Sequence, residues 1–158
     1  MNKKGFTLVE LLAVIAILAI LVIIALPNVL GMFNNAKKST FITEVQSIFK
    51  QAQSDFVQDS LTAAGEQTYC TTGNFSGTGD KNVQCTTEKA LNLTTTKNYY
   101  VHMTSAGAID AIVVNDGSFV YVKTGSDLKV TDIKDVDTDV KEYSAEAVTW
   151  TDGVPTLK

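Results

Sequence analysis

The sequence predicts an α+β protein: one long kinked N-terminal helix, apolar in its first half and amphipathic in its second, packed on a small antiparallel sheet. Three observations predict it. Residues 11–26 are apolar without a break. Apolar side chains then recur at steps of three and four from Phe41 to Phe56, the period of a helix with one buried face. Beyond residue 97, short β-branched and aromatic runs alternate with Gly- and Asp-containing turns, as in strands joined by hairpins.

The first element is fitted to a membrane. Between residues 6 and 26 only Thr7 and Glu10 are not apolar. As a helix this stretch is roughly 30 Å long, about the thickness of a bilayer's hydrocarbon core. It must be helical there, because lipid satisfies no backbone polar group. A secretory signal peptide would have a shorter apolar run ending in a small-residue cleavage site; Ile23, Ile24, Ala25 and Leu26 offer none. An uncleaved signal anchor is the other rival, with Lys3 and Lys4 holding the N-terminus in the cytoplasm. Neither rival accounts for Glu10, a carboxylate one turn into an apolar span, where an acid costs up to about 3 kcal/mol. A cut between Gly5 and Phe6 would supply its partner. The new α-amino group of Phe6 stands four residues from Glu10 on a helix, or could reach Glu10 of a neighbouring copy.

The string KKGFTLVE resembles the class III leader and cleavage site of type IV prepilins and pseudopilins. The resemblance covers about the first 30 residues. It implies that Gly5 is the last leader residue, that a prepilin peptidase cuts after it, and that Phe6 becomes an N-methylated N-terminus. Glu10 is then the acid that sets filament register, and Pro27 the proline that bends the long helix. The implied organisation is a leader at 1–5, a membrane and filament-core helix at 6–30, an amphipathic half at 31–65 and a globular head at 66–158. The implied partners are like subunits in a helical filament, the membrane before assembly, and the pilus assembly machinery. The precursor is then a single-pass inner-membrane protein that moves to an extracellular pilus. A pseudopilin or minor pilin of a secretion or DNA-uptake machine fits the same residues, and a signal-anchored surface protein that never polymerises is the reading of another class.

In the second half of the helix Phe41, Val45, Ile48, Phe49, Ala52 and Phe56 form the core-facing stripe, and Gly65 reads as the stop. Residues 66–97 read as a loop-rich connection, and 98–158 as the sheet. Strands are expected at 98–103, 108–114, 119–123, 128–133, 148–151 and 154–157. Asn115-Asp116-Gly117-Ser118 is a strong hairpin signal.

Cys70 and Cys85 enclose 14 residues rich in Thr, Gly and Asn, a segment with little apolar content to fold on its own. In an exported protein a disulfide is expected there. The only histidine, His102, alternates onto a solvent face, so no base for nucleophilic chemistry is expected and the chain reads as a non-enzyme without cofactor. Asp135, Asp137 and Asp139 begin a calcium-loop pattern, but Val140 stands where such a loop needs Gly; a solvated acidic loop or an edge strand whose charge blocks unwanted pairing is the plainer reading. Residues after Gly65 carry 8 Lys against 13 Asp and Glu, a charge of −5, which disfavours tight, non-specific binding to phosphate backbones; no specific nucleic-acid binding is expected either. All basic residues are Lys; with the loop cysteines, this is compatible with a Gram-positive source.

Overall fold

The structure is a computed structural model that describes residues 5–62, 65–71, 78–79, 89–95, 97–134, 136, 138–143, 148–151 and 154–157. The chain falls into two compact units, divided between Lys37 and Lys38. Helix α1, Leu8–Asp59, contributes to both and contains Pro27.

In the first unit every described residue from 5 to 37 is exposed. Leu, Ile and Val side chains lie open around the whole circumference, Ile17 at 60% and Ile23 at 72%. A water-soluble helix would bury one stripe. This one has the length and composition to cross a membrane.

The second unit is a head of three layers. Its strands are β1 (Gln67–Cys70), β2 (Thr78–Gly79), β3 (Asn98–Met103), β4 (Ile109–Asn115), β5 (Phe119–Leu128), β6 (Val140–Glu142), β7 (Val148–Thr151) and β8 (Val154–Leu157). Five form one antiparallel sheet in the order β1-β3-β4-β5-β6, and β2-β7-β8 form a smaller one. The helical part of the head lays Phe41, Val45, Ile48, Phe49 and Ala52 against Tyr69, Tyr99, Val101, Met103 and Ile112 on one sheet face. The other face carries Cys70, Tyr100, Val113, Val120 and Val122, which pack on Val148 and Trp150 of the smaller sheet. Strand β4 is therefore buried on both faces, which explains its continuous apolar run, IVV between two alanine-sized or polar neighbours. Tyr100 and Trp150 meet edge to face, centroids 5.3 Å apart.

The architecture is the α+β one the sequence predicts, with four corrections in detail. Helix α1 ends at Asp59 rather than near Ala64; a turn at Ser60–Thr62, with side-chain bonds back to Val57 and Asp59 carbonyls, closes it. The expected loop at 66–97 contains β1, which pairs with β3 from Gln67↔Met103 to Cys70↔Tyr100. No strand runs through 128–133. Strand β5 continues through Lys123 to Leu128, bulging at Gly125-Ser126-Asp127 between the pairs Ala111↔Thr124 and Ile109↔Leu128, and a 3-10 turn at Val130–Asp132 follows. Asp127 and Gly125 both hold positive φ there, so the signal read as a chain reversal is a bulge. The final hairpin β7-β8 covers the sheet face away from the helix.

Candidate functional site at the helix start

Gly5, Phe6 and Thr7 precede the helix, non-helical and exposed. The helix starts at Leu8 because Thr7 caps it. Thr7 Oγ1 accepts from the Glu10 amide at 3.3 Å, and the Glu10 carboxylate accepts from the Thr7 amide at 2.9 Å. This is the reciprocal capping box, Thr-x-x-Glu, in which two donors left over at a helix start satisfy each other's residues. A third bond, from Thr7 Oγ1–H to the same carboxylate oxygen at 2.7 Å, pins the acid further. The Leu11 amide closes the first turn onto the Thr7 carbonyl at 3.2 Å.

Glu10 thus has a partner before any cleavage. Both of its side-chain bonds use Oε2, and no bond to Oε1 is seen among the described residues. In the intact chain the Phe6 nitrogen is a peptide amide, so an ion pair with Glu10 needs the Gly5–Phe6 bond cut. Thr7 is the residue that sequence reasoning passed over. Its signal was present, since Thr followed three residues later by Glu before an apolar run is the capping-box signature.

The other candidates lie in the head. Cys70 is disulfide-bonded; Cys85, the only other cysteine, lies outside the described residues. Asp135 and Asp137 lie outside them too. Asp139 accepts a hydrogen bond from Lys123 Nζ at 2.8 Å, and among the described residues no group of three metal-capable side chains converges. His102 is not a bare solvent-face residue. It is half-buried, with Nδ1 2.6 Å from Asp110 Oδ1 and Nε2 3.9 Å from Glu66. The Asp110 side chain stands where β4 bulges, which brings it across to His102.

A second polar cluster, unforeseen from the sequence, closes the helix's far end. Asp59 accepts from Tyr69 Oη at 2.6 Å and pairs with Lys89 Nζ at 2.6 Å. Asp55 accepts from the Asn92 amide at 2.7 Å and from Gln51 at 2.8 Å. Acids in a last turn oppose the helix dipole; here each is met by a donor from the segment it holds. The Lys89 hydrogen bond, then that of Tyr69, keeps the Asp59 carboxyl below its ordinary range.

The family model described as the prokaryotic N-terminal methylation motif matches residues 1–26. This is the class III signal of type IV pilins and prepilin-like proteins. The N-terminal segment is thus similar to that of type IV pilins and prepilin-like proteins; the motif implies processing by a prepilin peptidase and, with the apolar helix, supports a membrane-anchored precursor. No curated protein and no solved structure matches the chain.

Proposed function

We propose that the chain is a structural, non-enzymatic subunit of an extracellular type IV pilus, its major pilin, cut after Gly5 and assembled into a filament of like subunits through helix α1. The observation that carries this reading is Glu10: one ionisable side chain, held by Thr7, at the start of a helix that is otherwise exposed and apolar through Leu26 and carries no other charge before Lys37. Moving such a helix from lipid into a bundle of like helices changes its hydrophobic energy little. Packing and the few polar contacts must then choose the register. Cleavage creates a cation at Phe6 within reach of that acid, in the same or a neighbouring copy. The remaining Glu10 oxygen suits that role without dismantling the cap.

The test compares the wild type with Glu10→Ala. The variant is expected to be processed and to stay in the membrane, yet to give few filaments. Filament yield equal to wild type would refute the role of Glu10. Mass spectrometry of the mature product should find a methylated Phe6; an intact Met1 would favour a signal anchor. A pseudopilin or minor pilin would be scarce in sheared filaments, where a major pilin is the main component.

A further inference from the structure

Between Glu10 and Glu44 the chain has no acidic residue, and its only charges are Lys37 and Lys38. Both stand in helix α1, just beyond a stretch whose only polar side chain from Leu11 to Phe33 is Asn28, after Asn34, Asn35 and Ala36. The positions one turn away on either side hold Phe33, Asn34, Asn35, Thr40, Phe41 and Ile42, so no carboxylate faces either lysine along the helix. Neither lysine is in an ion pair among the described residues. Lys37 is exposed. With Lys3 and Lys4 cytoplasmic, the pair lies on the side of the membrane where basic residues are disfavoured. A counter-charge is the missing element.

The spacing supplies one. From Leu8 to Lys37 the helix rises roughly 44 Å, against about 40–45 Å for a bilayer with its headgroups. Helical side chains lean back over the preceding turn, so both lysine stems run towards Phe33 and the apolar stretch, the direction in which lysines snorkel. We infer that Lys37 and Lys38 form a collar that binds anionic phospholipid headgroups on the outer face of the membrane. The collar fixes how deep the precursor helix sits. With Glu10 and Thr7 at the other end, it leaves the Gly5–Phe6 bond at the cytoplasmic boundary. The inference rests on the membrane-resident precursor, which alkaline carbonate extraction tests separately: release of the chain would defeat that reading rather than this one.

The experiment uses the full chain in phosphatidylcholine vesicles containing a minority of phosphatidylglycerol, with spin-labelled forms of each lipid reporting which is held at the protein boundary. An attraction of this kind strengthens binding about fivefold per lysine. Averaged over the boundary lipids, K37Q/K38Q should lower the preference for phosphatidylglycerol at least twofold. Half-molar salt should lower it in the wild type as well, and K50Q should leave it unchanged. Equal preference in wild type and K37Q/K38Q overturns the inference. So does unchanged lipid preference accompanied by lost filaments, which would place carboxylates of a second copy against these lysines instead.

Discussion

One carboxylate, that of Asp59, ties the stability of the head to pH. Asp59 sits in the last turn of α1 with Lys89 and Tyr69 both donating to it, and Lys89 also spans towards Gln67 and lies 5.7 Å from the centre of the Tyr69 ring. Because the folded-state carboxyl titrates below its unfolded value, the folded form binds its proton less readily. That contribution to stability is fully present above the unfolded value of 3.8 and is lost as pH falls through and below it. Asp59→Asn should flatten this part of the profile. Urea melts at steps between pH 6 and pH 2.5 would follow it through the emission of Trp150, the only tryptophan and 2% exposed. Wild type and variant should differ most near neutrality and converge in acid; a constant difference across that range would show that the charge is not what matters. Side-chain detail of this kind was not readable from the sequence, because Asp59 and Lys89 are 30 positions apart and no local pattern joins them.

At the scale of elements, the turn between β3 and β4 lies against the Phe56 ring of the helix. Gly107 has φ +82, and a Cβ built there would stand 2.9 Å from the Phe56 ring. The turn is tied by Gly107 N–H to the Thr104 carbonyl and by Thr104 to Ala108. Gly107→Ala should therefore destabilise the head by about 1–3 kcal/mol, from left-handed strain together with the ring contact. The same melt reads it. A variant as stable as wild type would mean that the ring swings away and the turn relaxes. The elements themselves were largely legible: the stripe from Phe41 to Phe56 and the Asn115–Ser118 turn are local periodicities, and they appear where period and turn chemistry place them. What was not legible depended on partners distant in sequence. Residues 67–70 look like loop until β3 offers an edge to pair with, and Gly125-Ser126-Asp127 spells a turn unless Leu128 finds Ile109. At the helix start the methylation motif was local and legible. The capping role of Thr7 is equally local, a Thr three residues before Glu10.

For the whole molecule, the division between Lys37 and Lys38 separates two kinds of stability. Among the described residues up to 37 none is buried, so this stretch depends on what surrounds it. The head buries two apolar clusters on the two faces of one sheet. Cys70 of the head is disulfide-bonded, and its amide donates to the Lys89 carbonyl at 3.2 Å. A disulfide closing a loop of about 15 residues stabilises by roughly 3 kcal/mol in the chain-entropy model. Cys70→Ala/Cys85→Ala should then lower the head's stability by about that amount, and reducing the wild type should do the same. The class III signal, however, lies within residues 1–26, all in the first unit. The variant should still be cut after Gly5 and methylated at Phe6 at the wild-type level, measured by mass spectrometry of membrane-resident chain, while Trp150 emission reports the weakened head. If processing fell in step with head stability, the peptidase would be reading more than the signal, and the two units would not be separable in function.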